Sequence, residues 1–156
     1  MAANATSRIL GEAMTPYQKR IYKDPERAYN WARKYKQRFP EAEAAIARYP
    51  FYSHHYAKDV IGGRWPEGEA AIAPSPGWAY HYATDVIGGR WPEGEPAIAT
   101  SPGWAYRYAK NFIGGRWPEA EATIAKDPDY SIMYLEVFPE AKLEWAMNGL
   151  IDWTDL

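Results

Sequence analysis

The chain has 156 residues, enough for one domain with a buried core, and its charged fraction of 24% is too low for a disordered polyelectrolyte. The absence of cysteine excludes disulfides, thiolate nucleophiles and cysteine-based zinc sites. The net charge of −2 divides into +5 for residues 1–49 (ten Lys/Arg, five Asp/Glu) and −7 for residues 50–156 (eight and fifteen), and neither value favours a nucleic-acid-binding domain.

Residues 1–24 are predicted to form an N-terminal cap, in which Thr15-Pro16-Tyr17 begins half of a repeat unit. This segment has no apolar run long enough for a secretory signal. No run of about 18 apolar residues, the length that spans a bilayer, occurs in the sequence. We therefore expect a cytoplasmic protein without a membrane partner.

A repeated Trp-Pro-Glu motif organises the rest of the chain. It begins at Trp65, Trp91 and Trp117, two steps of 26 residues. Phe39 takes the place of the tryptophan one step earlier, and Phe138 takes it after a shortened step of 21 residues. Self-similarity at a fixed period is typical of repeat proteins. The predicted boundaries are repeats 25–49, 50–75, 76–101 and 102–127, and then a shortened repeat with a C-terminal cap at 128–156.

Each repeat is predicted to contain two short helices, as the unit at 76–101 illustrates. Ser75 is a candidate N-cap, and Pro76 suits the first helical position. Gly88-Gly89 ends this helix because glycine adopts the left-handed conformation without steric cost. Pro92 begins the second helix, and Pro96 limits it to one or two turns that are partly 3₁₀.

Helices this short are not stable alone in water, whereas stacked hairpins bury one another's apolar faces. We therefore predict an all-α single domain, a compact right-handed α-solenoid with terminal caps and no sheet. Recurring alanines such as Ala79 and Ala83 allow close helix approach, and the motif tryptophans fill the space between layers. Helix breaks are expected at the glycine pairs Gly62-Gly63, Gly88-Gly89 and Gly114-Gly115.

The repeat has a recognisable form. The string VIGGRWPEGEAAIAPSPGWAYHYA begins at Val60, and VIGGRWPEGEPAIATSPGWAYRYA begins at Val86. With its GRWPE core, this pattern resembles the short α-helical repeats of proteins from tailed bacteriophages and some bacteria. The resemblance implies an all-helical repeat and a phage or phage-associated origin, and it implies no activity. KYKQRF replaces the glycine turn in the first unit, and the last unit lacks that turn.

Catalytic and metal chemistry find little support in the residue pattern. His54 and His55 are adjacent and point to different sides of a helix, and His81 is one repeat away from His55. No Ser/His/Asp set stands out. Paired glutamates such as Glu93 and Glu95 recur at helix starts, where the helix dipole favours negative charge, and a catalytic pair has no reason to recur. We expect no catalytic, cofactor or metal site, and no enzyme.

One arginine recurs in the same turn of each repeat. These arginines could form a ladder for phosphates or for a partner. Alternatively, each could pair with a glutamate or bond a helix-end carbonyl in the next unit. Invariance at a turn beside invariant glutamates favours this structural interpretation. The ladder consists of Arg38, Arg64, Arg90 and Arg116.

In repeat proteins the invariant columns hold the fold, and the varied exposed columns choose the partner. Three varied columns on the first helices form a predicted stripe of aromatic, histidine and basic groups, on the side away from the alanines. Its members are Tyr29, His54, Tyr80 and Tyr106, then Asn30, His55, His81 and Arg107, and then Arg33, Lys58, Thr84 and Lys110. A solvated face with drifting residues is the simpler interpretation; a binding face is the functional one, since Tyr, His and Arg are common interface anchors.

Two function classes follow from this stripe. The first is a non-enzymatic protein-binding module, which the phage resemblance makes a small accessory protein that binds and inhibits a host or defence protein. The second is a single-stranded nucleic-acid binder that uses the basic groups for phosphates and the tyrosines for stacking. The net charge and the acidic residues 50–156 favour the first class. An acidic mimic of nucleic acid is weakened because the acids lie next to arginines.

Overall fold

The structure is a computed structural model that describes residues 13–152 and Thr154, so the first twelve residues of the predicted N-terminal cap lie outside it. The described residues form helices and turns and contain no strand, which confirms the all-α class. Contacts group the chain into two compact units, Met1–Ile72 (unit 1) and Ala73–Leu156 (unit 2). None of the described helices is long and apolar enough to cross a membrane.

The described helices of unit 1 are short, and one of them continues into a π-helical segment. They are α1 (Pro16–Ile21), α2 (Pro25–Tyr35), α3 (Pro40–Ile46), α4 (Pro50–Tyr56) with π1 (Ala57–Ile61), and α5 (Pro66–Ile72).

Unit 2 repeats the alternation of longer and shorter helices. Its described helices are α6 (Pro76–Tyr82) with π2 (Ala83–Ile87), α7 (Glu95–Ile98), α8 (Pro102–Tyr108) with π3 (Ala109–Ile113), α9 (Pro118–Ile124), α10 (Pro128–Val137) and α11 (Ala141–Met147).

Proline begins most of these helices because its missing N–H costs nothing in the first turn. Thr15 caps α1 in a capping box with Gln18, and Asp127 caps α10 by accepting from backbone N–H groups. Ser75 stands at the N-cap position of α6, as predicted, but its side chain makes no capping hydrogen bond there. The proline is therefore the more consistent start signal.

The glycine pairs end the longer helices, as predicted. Gly62, Gly88 and Gly114 have φ angles of 74°, 72° and 68°, which is the left-handed region that favours glycine. Each ends a π-helical segment, and the N–H of Gly62 donates to the carbonyl of Ala57, five residues earlier. In the first repeat, where no glycine is available, Lys36 takes the left-handed conformation with φ 51° and α2 has no π-helical extension.

The motif tryptophans and the recurring alanines are buried, as predicted. Trp65 belongs to the core of unit 1, and Trp91 and Trp117 belong to that of unit 2. Space beside these rings is limited: a Cβ added at Gly94 would lie 2.5 Å from the ring of Trp91. Glycine at this position lets the helix backbone approach the indole directly.

Pro96 shortens the second helix of its repeat. α7 has four residues, whereas α3, α5 and α9 have seven each. The helical part begins only at Glu95, after a turn through residues 92–94. The length agrees with the predicted one or two turns, but Pro92 does not begin this helix, and its residues are α-helical rather than 3₁₀.

Candidate functional site

In unit 1, five of the predicted binding residues lie around one cleft. The cleft has a volume of about 550 Å³ and lies between α2 and the α4–π1 helix. Its lining also includes Phe51, Tyr52 and the carboxylates of Glu26 and Asp59. The predicted residues at this cleft are Tyr29, Asn30, Arg33, His55 and Lys58.

Asp59 organises the polar side of this cleft. The Tyr29 hydroxyl donates to Asp59 Oδ2 at 2.6 Å, and His55 Nδ1 lies 3.9 Å from the same oxygen. Burial, and then the Asp59 carboxylate, raise the pKa of Tyr29 to about 12. The Arg33 guanidinium lies 5.4 Å from the centre of the Tyr29 ring. Arg33 and Lys58 are both exposed and place positive charge at the mouth of the cleft.

The prediction of an exposed face is wrong for two residues of the stripe. The side chain of His54 is 1% exposed and that of Tyr29 is 5% exposed. The reason is that α4 packs against both α2 and α5, which covers His54, and that the Tyr29 ring of α2 packs on Tyr52 and His55 of α4. Tyr29 reaches the cleft through its hydroxyl, whereas His54 is part of the core.

In unit 2, three of the predicted residues contact Trp104, a side chain that the varied columns do not include. The ring centre of Trp104 lies 5.1 Å from that of Tyr80 and 5.3 Å from that of His81. The Arg107 guanidinium lies 4.9 Å from the Trp104 ring. Trp104 also covers the backbone of the preceding first helix, since a Cβ at Gly77 would lie 3.4 Å from its indole. These rings are partly exposed.

A second set of contacts extends this surface along α8 and π3. The Lys110 ammonium lies 5.8 Å from the Tyr106 ring. Asn111 Nδ2 donates to the Tyr80 hydroxyl at 2.8 Å, and Phe112 lies against the same ring at 5.8 Å. Thr84 is exposed, but its hydroxyl donates to the Tyr80 carbonyl of its own helix. The result is a ridge of aromatic rings with exposed cations over them, here called the Trp104 ridge: Tyr80, His81, Trp104, Tyr106, Arg107 and Lys110.

Trp104 belongs to a recurring aromatic column. Tyr52, Trp78, Trp104 and Tyr130 follow one another at steps of 26 residues. Recurrence is typical of core positions. A prediction that selects positions varying between repeats therefore leaves this column out. The column is instead partly exposed at each of these four positions.

The arginine ladder is engaged in ion pairs within the repeats. Each arginine forms a bidentate pair with a glutamate five residues later, as Arg90 does with Glu95 through two bonds of 2.9 Å. The other pairs are Arg38–Glu43, Arg64–Glu69 and Arg116–Glu121. This supports the structural interpretation of the ladder, because a paired guanidinium has much of its charge compensated.

A tyrosine from the following first helix completes three of these pairs. The N–H of Trp91 donates to the Tyr108 hydroxyl at 2.6 Å, and that hydroxyl donates to Glu95 at 3.0 Å. The same arrangement joins Tyr56 to Glu43 and Tyr134 to Glu121. In these three clusters the second glutamate of the repeated pair thus links neighbouring hairpins, in addition to its place at a helix start.

Arg90 and Arg116 also line a shallow cleft of about 400 Å³ beside Pro96. Its lining includes Glu95 and Glu119, so the charges of the two arginines are balanced there. Across residues 13–152 and 154, no three His, Asp or Glu side chains group as a possible metal site.

Comparison with protein-family models, with curated proteins and with solved structures finds no match for this chain. The cleft and the Trp104 ridge are therefore the features from which a function can be inferred.

Proposed function

We propose that the chain is a non-enzymatic protein-binding module and that the Trp104 ridge is its main binding face. The main support for this binding face is the cluster in which Tyr80, His81 and Arg107 contact Trp104. Tyr, Trp and Arg dominate interface hot spots because they bury large areas and still offer polar groups. Rings that already contact one another lose little conformational entropy when a partner binds.

The cleft of unit 1 supplies a second surface of the same chemistry. It combines aromatic walls from Phe51 and Tyr52 with exposed Arg33 and Lys58. Charged rim groups of this kind raise association rates and select partners more than they raise affinity. We propose that this cleft binds acidic side chains of the partner.

The architecture proposed for this module is a right-handed α-solenoid of hairpins with a 26-residue period. A repeat array presents equivalent positions of successive hairpins side by side, so a partner would contact several repeats at once. The GRWPE-type resemblance alone favours a phage accessory protein in the host cytoplasm that inhibits a host or defence protein.

The test uses a partner captured from host lysate, identified by mass spectrometry and purified. The double variant Tyr80→Ala, Arg107→Ala should weaken its binding at least about thirtyfold, because the loss of even one anchor at an interface centre costs about 2 kcal/mol. The unfolding midpoint should change little. The control Tyr49→Ala, Lys126→Ala removes one exposed tyrosine and one exposed cation elsewhere and should leave affinity unchanged. Full affinity in the ridge variant would overturn this assignment.

Single-stranded nucleic acid is the alternative ligand for the same ridge. Arg107 over Trp104 and Lys110 over Tyr106 combine charge with stacking surfaces, as in proteins that bind single strands. Such binding would fall steeply with salt. Absence of a fluorescence-anisotropy change with labelled oligonucleotides at about 50 mM salt would exclude this alternative, because salt competition is weak there.

A further inference from the structure

The last helices of unit 2 carry an apolar groove that the proposed function does not use. The groove has a volume of about 700 Å³ and lies beside α10, with Ile132, Leu135, Leu150 and Ile151 in its lining. Ile132 is 60% exposed. On α11, Leu143 and Met147 are 57% and 70% exposed. Contiguous apolar surface that is exposed on a folded chain commonly marks an interaction site, which indicates that something covers this groove.

The charge around this groove is negative. Glu136 and Asp152 line it together with Lys142. Residues 127–152 contain six Asp/Glu and one Lys, with no Arg. Two copies of this groove facing each other would therefore bring like charges together, and a basic surface with apolar groups is the complementary partner.

Unit 1 of the same chain offers such a surface. A cleft of about 480 Å³ between α1 and α2 is lined by Tyr17, Trp31 and Tyr35 together with Arg27 and Lys34. Tyr17 and Tyr35 are 52% and 55% exposed. Residues 16–36 contain seven Lys/Arg and two Asp/Glu. The cleft thus combines exposed aromatic rings with positive charge.

We propose that the α10–α11 groove of one copy binds the α1–α2 cleft of a second copy. Ile132 and its apolar neighbours pack on the exposed tyrosine rings, and Glu136 and Asp152 face Arg27 and Lys34. The two surfaces differ, so the contact is heterologous, and a dimer retains an unused cleft on one copy and an unused groove on the other. Association then continues beyond the dimer, either to a ring or to an open chain.

Sedimentation velocity of the whole chain gives the first test. At about 50 mM salt the average mass should rise above the 17.8 kDa of one chain as the concentration increases to about 500 µM, since weak contacts have millimolar to micromolar Kd values. At about 500 mM salt the mass should return towards the monomer, because screening removes the charge attraction. A monomer throughout, or an association that salt does not weaken, would overturn the proposal.

Two variants, each altered on one face, give the decisive test. Ile132→Lys places a cation in the groove, and Tyr17→Ser, Tyr35→Ser removes the exposed rings of the cleft. All three positions are exposed, so folding should be unaffected, and circular dichroism verifies this. Each variant alone should lose at least about tenfold in association constant, the effect expected for removal of an interface anchor.

Mixing the two variants distinguishes this contact from a symmetric dimer. The intact cleft of one variant can bind the intact groove of the other, and the remaining two faces are both altered. The mixture should therefore give a 1:1 complex with twice the monomer mass and nothing larger. Variants that stay monomeric after mixing contradict the proposal, as does a cleft variant that still associates with itself through its groove.

Discussion

Unit 2 contains the same three residue types twice, 26 residues apart, in two different surroundings. In the first cluster Arg90 pairs with Glu95, and their side chains are 52% and 15% exposed. In the second, Arg116 pairs with Glu121, and the exposures are 20% and 6%. Tyr108 and Tyr134 complete the clusters in the same way. The repeat sequence therefore sets the geometry of the ion pair, and its burial has another origin.

The difference in burial comes from α11, whose side chains form hydrogen bonds with the second cluster. Trp145 Nε1 donates to Glu121 Oε2 at 2.8 Å, and Arg116 donates to Glu144 at 2.7 Å. Burial raises the pKa of Glu121, but the bonds from Arg116, Trp145 and Tyr134 outweigh it, so that the pKa lies below its usual value. For Glu95 the bond from Arg90 is the largest cause of a lowered pKa. Equal motifs should thus contribute unequally to stability.

The largest expected effect is the loss of the Glu121 carboxylate. Glu121→Gln keeps the shape of the side chain but removes the buried carboxylate that accepts bonds from Arg116, Tyr134 and Trp145, so that only Glu144 remains to pair with Arg116. We expect a loss of about 3–5 kcal/mol in the free energy of unfolding, as for other broken buried pairs. Urea unfolding at neutral pH measures this value.

Glu95→Gln is the matched control in the exposed cluster. Water can solvate the exposed Arg90 guanidinium after its partner is lost. We therefore expect a cost of only about 1 kcal/mol in the free energy of unfolding. Equal losses in the two variants would show that α11 does not strengthen the second cluster.

The second prediction exchanges the residue that distinguishes α7 from α9. Pro96 and Ala122 occupy equivalent positions, and only the helix with proline is reduced to four residues. Ala122→Pro removes a backbone donor inside α9 and should cost about 3 kcal/mol. Pro96→Ala should extend α7 towards Pro92, increase the far-UV helical signal and stabilise the chain by about 1 kcal/mol.

The two proline variants control each other, because each makes one repeat resemble its neighbour. A cost below about 1 kcal/mol for Ala122→Pro in α9 would mean that Pro96 is not the cause of the short α7. The cause would then lie in the packing around Trp91.

Much of the fold was predictable because its signals are local. Proline at N1 and glycine in the left-handed region act through their own backbone restrictions, so Pro76 and Gly88 locate a helix in any context. The π-helical segments were not predictable. They depend on hydrogen bonds to the carbonyl five residues earlier. No side chain in Ala83–Ile87 indicates this hydrogen-bond pattern in the sequence.

The candidate site was predictable only in part. Varied columns correctly indicated Arg33, Lys58 and Arg107 as exposed cations. They failed for His54, because burial depends on which helices cover α4, and this is a tertiary property. They missed Trp104 because a recurring aromatic residue has the same sequence signature whether it fills the core or stands at the surface.

The smallest effect is expected at the tyrosine of the exposed cluster. Tyr108→Phe removes the acceptor of the buried Trp91 N–H and one donor to Glu95, whereas Glu95 keeps Arg90. We expect a loss of about 1–2 kcal/mol, the usual cost of leaving one buried donor unsatisfied. Tyr106→Phe, two residues earlier on the partly exposed ridge, should change stability by less than about 0.5 kcal/mol.

Alkaline titration isolates the same hydroxyl. Burial, the largest cause, together with Glu95 raises the pKa of Tyr108 from 10.0 to about 12 in the folded chain. A pKa raised on folding contributes stability that is complete below pH 10 and is lost as the pH rises towards 12. The free energy of unfolding should therefore fall less steeply between pH 10 and 12 in Tyr108→Phe than in the parent chain or in Tyr106→Phe. Identical slopes in all three would mean that the Tyr108 hydroxyl is open to water and does not link Glu95 to the neighbouring hairpin.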